Sequence, residues 1–420
     1  MAQVNTTNAA ILYDYLVAQQ NELNIKESTK ENIIKRIIWL SAFLNHKTFS
    51  EITKDDILSY LNTRVKKHAS IDATHKWIGT YNGTQMVFST FFKWLYNPEE
   101  SDTRKRITPP CMRGIKRLLR QEKSPYKPSD LWNPDEHSIF LKYCPNKRDV
   151  CYHAMANDTS ARPGELLNLR ISDIVFKLSD SDVQYAEITV SGKTKSRTLP
   201  LITSIPYLKE WLQNHPAGSN PNSWLFVSLS KNNFLAKLSP SALLAQYKYH
   251  YKKNFFPRLL ENDTILPRDK ALIRNMLTKP FSLYVFRHSA LTEKSQLLKE
   301  STLRQYAGWT ITSKMPQVYL HYFGNESSKS LLEVYGIEQN QQQQFKTLKP
   351  KPCPNCSEPN KPESRFCAKC KMLLTYDAYK ETIEEKAQKD KQIEDLAKRQ
   401  EQFEAMIQTF IDSGQLKPAI

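Results

Sequence analysis

Toward its C-terminal end the chain carries Cys353-Pro-Asn-Cys356 and then Cys367-Ala-Lys-Cys370, a C-x2-C-x10-C-x2-C pattern. Each pair turns two thiols toward one point, and two such knuckles supply four thiolates at tetrahedral spacing, the donor set of a zinc ribbon. Residues 350–375 are therefore predicted to fold around one structural zinc held by Cys353, Cys356, Cys367 and Cys370. With all four positions filled by protein, none is left open for substrate, so the metal takes no part in chemistry. Cys111, Cys144 and Cys151 complete the seven cysteines and have no such spacing; they read as ordinary thiols. This usage argues for metal and free thiols over disulfides, as in the cytosol.

The 420 residues give room for two or three domains, and a 40% hydrophobic content supplies their cores. No apolar run approaches the roughly 20 residues of a membrane span, and the N-terminus lacks a charged-then-apolar leader, so a soluble, cytoplasmic protein with no membrane partner is expected. A net charge of +17 and a pI near 9.3 call for a polyanionic partner. An acidic membrane surface would satisfy the same charge, but no basic amphipathic helix with an aromatic apolar face supports it.

Residues 1–100 read as a helical domain, with apolar positions at helical spacing in Ala10–Leu23, Asn32–Leu44, Ile57–Val65 and Gly83–Leu95. Thr29 and Thr53 stand where helix N-termini need oxygen acceptors. The stripe Met86, Phe88, Phe91, Phe92, Trp94, Leu95 is read as core packing rather than base stacking. Residues 101–130 form a basic linker: between Arg104 and Lys127 nine Lys or Arg face one acid, Glu122, with Pro109, Pro110 and Pro125 between them. Such a segment would release counterions on meeting phosphates. Residues 131–338 alternate helical patterns with one strand pair, in which Tyr185–Val190 returns as Arg197–Leu201 around a Ser-Gly-Lys-Thr-Lys-Ser turn. Residues 339–349 are a polar tether opening on a Gln-rich tract. Residues 376–413 form a charged helix, with Ile393, Leu396, Phe403, Ile407 and Phe410 on a short heptad seam that Lys386, Lys389 and Gln400 interrupt. Self-association and packing on another protein or on the ribbon both remain open for it. The fold class expected is mainly α with a small antiparallel β-sheet: a helical N-terminal domain, an α+β central domain, and the ribbon and helix.

Three motifs carry chemistry. Ser160-Ala-Arg-Pro-Gly-Glu-Leu-Leu-Asn-Leu-Arg170 places an arginine at a helix start with an acid three residues on. The hairpin turn holds Lys193 directly after Gly192. The stretch from Phe281 to Tyr322 holds Tyr284 and Arg287 on one helical face, then Gly308-Trp309, then Tyr319 ten residues later. Jointly, from about Asn8 to Phe323, they resemble the tyrosine recombinases of the phage integrase family: an arginine box, a hairpin lysine, His-x-x-Arg-His, Gly-His or Gly-Trp, and a nucleophilic tyrosine. The loop Ser313-Lys-Met-Pro316 is similar to that of archaeal members, some of which carry a ribbon appendix.

The resemblance implies a site-specific recombinase that cuts and rejoins duplex DNA through a covalent 3′-phosphotyrosyl bond, with neither ATP nor a catalytic cofactor. Arg162 and Arg287 would donate forked hydrogen bonds to the phosphodiester as charge grows in the transition state. Tyr319 would attack, Lys193 would protonate the departing 5′-oxygen, and Trp309 would donate its indole N–H to the phosphate. Lys195 competes with Lys193 for that role, and Tyr322 stands in reserve for Tyr319. Tyr284 departs from the family histidine; a phenol bonds a phosphate oxygen but is a poor base, which leaves open what deprotonates Tyr319. His288 matches the histidine after the arginine and is read as bracing the helix. The implied partners are double-stranded DNA at specific sites, hence the nucleoid, and further copies of the chain in a synaptic tetramer. A cleavage-deficient DNA-binding accessory protein of the same fold and a type IB topoisomerase-like relaxase are the alternatives.

Overall fold

The apolar spacing in the first hundred residues closes into a four-helix bundle: α1 (Thr6–Leu23), α2 (Glu27–Phe43), α3 (Lys54–Asn62) and α4 (Trp77–Tyr96). The computed structural model of the chain describes residues 5–66, 75–119, 126–180, 183–192, 196–320 and 348–412. It divides into two units, 1–125 and 126–420.

In the first unit Phe88, Phe91, Phe92 and Trp94 line the core as expected, while Met86 lies on the outer face, 48% exposed. Thr53 caps α3 in a reciprocal box with Asp56, each side chain accepting from the other's backbone N–H. Thr29 caps nothing: α2 begins two residues earlier, where Glu27 puts its charge against the positive helix end. Part of the stretch read as a basic linker packs into this unit. Cys111, Met112 and Ile115 bury in the core of this unit, and Arg106, 3% exposed, pairs with Glu22 at 2.7 Å. Apolar residues spaced between the bases give that half of the segment a face to bury. Arg104, Lys105, Arg113, Lys116 and Arg117 stay exposed; residues 120–125 lie outside the described ones.

The second unit runs α5 (Pro134–Tyr143), α6 (Lys147–Thr159), α7 (Pro163–Leu166), β1 (Ile174–Leu178), β2 (Gln184–Ser191), β3 (Ser196–Leu201), α8 (Ile205–Asn214), α9 (Pro240–Ala245), a π-helix over Gln246–Phe255, α10 (Phe256–Leu260), α11 (Pro267–Thr278), α12 (Leu283–Ser295), α13 (Glu300–Ala307) and α14 (Met315–Leu320). Asn133 caps α5 in a box with Glu136, and proline opens both α5 and α7, where its missing N–H costs nothing. The expected hairpin is present, with Ile188 opposite Leu199 and Ala186 opposite Leu201. Ala186, Ile188 and Val190 turn inward at the two-residue period of a strand. An edge strand, β1, pairs antiparallel on the other side of β2. All of β1 beyond Ile174 is exposed, so it has no buried alternation by which to read it.

The core of this unit centres on Trp132. Its ring meets Phe281 and Phe286 edge-on at 4.8 and 4.9 Å, and its backbone N–H donates to Ser289 Oγ at 2.9 Å. These contacts fix α12. Beyond the family-like region, β4 (Lys351–Pro352) and β5 (Pro359–Asn360) pair antiparallel, and α15 (Tyr376–Asp412) follows. The architecture is mainly α with small antiparallel sheets, as the sequence predicts. The polar tether falls outside the described residues apart from its last two positions.

Candidate active site and cysteine cluster

Two separate segments meet at one carboxylate. Arg162 sits just before α7, whose geometry turns Glu165 back toward it: the Arg162 N–H donates to Glu165 Oε2 and its Nη1 to Oε1, both at 2.8 Å. From β3, Arg197 donates through Nη2 to Oε2 at 2.8 Å and through Nη1 to Oε1 at 3.2 Å. Burial alone would raise the Glu165 pKa, but the bonds from Arg197 and Arg162 outweigh it and hold it at about 2. Glu165 is thus a fixed anion that orients two guanidiniums.

Arg197 also donates through Nε to the Tyr306 carbonyl at 2.9 Å, and Arg162 Nη2 reaches the Gly308 carbonyl at 3.5 Å. These contacts tie the arginine box to the end of α13. Gly308 is required there twice over. Its φ is +67°, the left-handed region, and a Cβ would stand 2.6 Å from Arg197 Nη1.

Arg287, 5% exposed on α12, donates through Nη2 to the Ala307 carbonyl at 2.9 Å and through Nη1 to the Ser160 carbonyl. It therefore bridges the loop before Arg162 and the end of α13. Burial, then the Arg162 charge, lowers its pKa to about 10, still protonated at neutral pH. Three guanidiniums against one carboxylate leave a positive surplus, which suits an anion such as a phosphodiester.

Tyr319, on α14, is 2% exposed and packs in a small cluster with Leu291, Leu303 and Ala307. Its ring stacks on Trp309 at 5.3 Å and 24°, and on His288 at 5.6 Å and 22°. Its hydroxyl lies 2.8 Å from His288 Nδ1. Burial, then the Arg287 charge, lowers the His288 pKa to about 4, so the imidazole is neutral at pH 7. Arg304 fixes the loop leading to α14, donating through Nη1 to the carbonyls of Ile311 at 2.9 Å and Ser313 at 2.8 Å.

Of the residues singled out from sequence, Arg162, Arg287, Trp309 and Tyr319 come together. Tyr284 projects from the exposed side of α12, 52% exposed. Lys193 and Lys195 lie outside the described residues, as does Tyr322. Glu165, Arg197 and Arg304 were not among the expected site residues, and His288, read as a brace, contacts the tyrosine hydroxyl itself. The acid three residues after Arg162 was the available signal for Glu165. Arg304 offered none, since its partners are carbonyls that only the fold brings near; Arg197 opens the returning strand of the hairpin, but its carboxylate partner is visible only in the fold. Tyr306 is bound elsewhere, its hydroxyl donating to the Asp158 carbonyl.

The four ribbon cysteines also converge, with all Sγ atoms within 4.8 Å of one another, close enough to hold a metal ion. Cys353 and Cys370 approach to 3.5 Å, and Cys356 and Cys367 to 3.6 Å. The ribbon docks on α8 through Lys209–Glu358 and through Lys361–Glu210 at 2.7 Å. Among the described residues no helix is long and apolar enough to cross a membrane.

The phage integrase family matches residues 133–326, a span that holds every residue of the arginine–tyrosine centre and ends before the cysteines. No curated protein matches the chain. Among solved structures it is similar to a lambda integrase dimer bound to a COC′ core site, at 15% identity over 76% of this chain and 78% of that one, TM-score 0.48. It is also similar to XerH site-specific recombinase bound to difH substrate, at 16% identity over 76% and 83%, TM-score 0.46, and to XerA recombinase, at 18% over 79% and 98%, TM-score 0.35. Residues 133–326, with paired arginines around a stacked tyrosine, form a domain that matches the phage integrase family.

Proposed function

We propose that this protein is a site-specific DNA recombinase that breaks and rejoins strands through a 3′-phosphotyrosyl bond on Tyr319. The observation that carries the reading is the convergence of Arg162 and Arg287 on the loop that presents Trp309 and Tyr319. The two guanidiniums stabilise the pentavalent phosphorane without a metal. Arg197 acts through Glu165, holding the Arg162 fork in place. Trp309 stacks on the nucleophile, which limits its ring motion, and Tyr284 is exposed toward solvent where a phosphate oxygen can take its hydroxyl proton as a hydrogen bond. Lys193 is the proton donor to the 5′-oxygen, on the family resemblance alone.

The partner is duplex DNA, on the +17 charge and the exposed bases at Arg104, Lys105, Arg113, Lys116 and Arg117. The cysteine cluster holds one structural zinc. A tetrahedron with Zn–S bonds of about 2.3 Å spaces its sulfurs by about 3.8 Å, close to the 3.5 and 3.6 Å separations of the two cysteine pairs. Along α15, Ile393, Leu396, Phe403 and Ile407 are exposed by 37–65%, and a second copy of the chain is the partner that covers them in the synaptic assembly. Truncation after Thr375 should lower recombination more than single-site cleavage.

Incubation with fragments of the source genome, followed by sequencing of the DNA that remains covalently attached, tests the reading. Recovery of a recurrent short sequence is expected. Tight binding with no covalent product would favour the accessory-protein alternative, and adducts spread over all sequences a relaxase.

A further inference from the structure

The tyrosine at position 284, where the family has histidine, leaves Tyr319 without its usual base, and α12 supplies another candidate one turn further on. His288 Nδ1 lies 2.8 Å from the Tyr319 hydroxyl, inside the reach of about 2.6–3.2 Å that proton transfer needs. With the ring proton on Nε2, Nδ1 presents a lone pair to the phenol. The imidazole is held from two sides: the Tyr319 ring stacks on it, and the Tyr126 ring meets it edge-on at 5.1 Å while the Tyr126 hydroxyl bonds Ser282 Oγ at 3.2 Å. Tyr284, by contrast, is exposed and is itself a phenol.

We propose that His288 is the general base of strand cleavage, taking the Tyr319 proton on Nδ1 as the phenolic oxygen attacks phosphorus. The inference rests on the recombinase reading above. The Tyr319 O–H bond breaks and the O–P bond forms; the P–O5′ bond breaks, and the 5′-oxygen leaves with a proton from the general acid assigned to Lys193. On rejoining, the 5′-hydroxyl gives its proton back to that general acid as it attacks the tyrosyl ester, and His288 returns the other proton to Tyr319, so the cycle consumes none. Among the described residues, the charged and titratable groups shown against the imidazole are Arg287 beside it on α12, Tyr126 and Tyr319. Without DNA, burial and then the Arg287 charge keep it neutral and able to accept a proton. A bound phosphodiester offsets those charges and makes the imidazole more basic at the moment it must act.

The probe is a duplex cut from a covalently trapped genomic fragment, nicked beside the cleavage point so that adduct accumulates. Single-turnover adduct formation is measured from pH about 5 to about 9, with DNA retention and thermal melting alongside. His288→Ala should form adduct about 10²–10⁴-fold more slowly at neutral pH, with binding and melting unchanged, and added imidazole should restore part of the rate. Its rate should depend more steeply on pH than that of wild type, which levels off. His288→Gln keeps a hydrogen-bonding partner for the phenol but should stay slow; if His288→Ala melts early, this variant carries the same comparison. A wild-type rate in either variant overturns the assignment, full recovery in His288→Gln reducing His288 to a positioning residue. An adduct absent from wild type, or surviving in Tyr319→Phe, overturns the recombinase reading or its nucleophile instead, and this inference with it.

Discussion

The arginine–tyrosine centre and the cysteine cluster are built in opposite ways. The cluster is local: its four ligands fall within residues 353–370, and two short turns bring them together. The reactive centre is assembled from residues near 160, 197, 287, 308 and 319, joined by hydrogen bonds that span 146 residues in one case and 127 in another. A local site depends on its metal and little else. A distributed one depends on every element that positions it, so its parts are expected to fail together and the ribbon to fail alone.

The largest expected effect comes from Arg287→Ala. On the proposed chemistry it removes a transition-state donor, worth about 10²–10³ in rate, and it strips the donors from two carbonyls on separate segments. Adduct formation should vanish and melting should drop. Loss of activity with unchanged melting would show that the bridge is not structural. Glu165→Gln comes next. Breaking a buried carboxylate–guanidinium network costs about 3–5 kcal/mol, and both Arg162 and Arg197 lose their anchor. The sign of the pH dependence follows from the lowered pKa. In wild type the network's contribution is complete above the ordinary carboxylate value of 4.5 and fades as pH falls toward about 2. The variant should lack that acid limb in a urea titration; an identical acid limb would place the transition elsewhere.

Gly308→Ala should cost about 1–3 kcal/mol for the left-handed backbone and displace the Arg197 guanidinium, slowing cleavage. A variant as stable and active as wild type would mean the approach of Arg197 is not needed. The smallest effect is predicted for metal removal. Chelation should release zinc and unfold residues 350–375, observed as loss of amide-exchange protection there, while the cleavage rate is unchanged. Cleavage lost on chelation would break the contrast between the two regions by making the ribbon part of the centre.

The same contrast explains what the sequence made legible. The ribbon was readable because cysteine spacing is itself the geometry. The bundle helices and the β2–β3 hairpin were readable because burial imposes periods of 3.6 and 2 on the chain. β1 carries no such period, being exposed beyond Ile174. The anchoring of residues 111–115 was hidden behind the charge of their neighbours, although Cys111, Met112 and Ile115 are a short apolar set. In the reactive centre, family motifs pointed to Arg162, Arg287, Trp309 and Tyr319, but the contacts that position them were not in any motif. Arg197, Arg304 and the hydroxyl contact of His288 arise only when β3, α13 and α12 pack around the loop at Gly308.

The most direct test of the account is to identify the residue that carries DNA. The trapped protein–DNA complex is digested with nuclease and protease, and the modified peptide is sequenced by mass spectrometry. The account predicts a nucleotide remnant on Tyr319, in the peptide containing Met315-Pro-Gln-Val-Tyr319. A remnant on Tyr322 or Tyr306, or on a serine, would contradict the assignment of the stacked tyrosine as nucleophile.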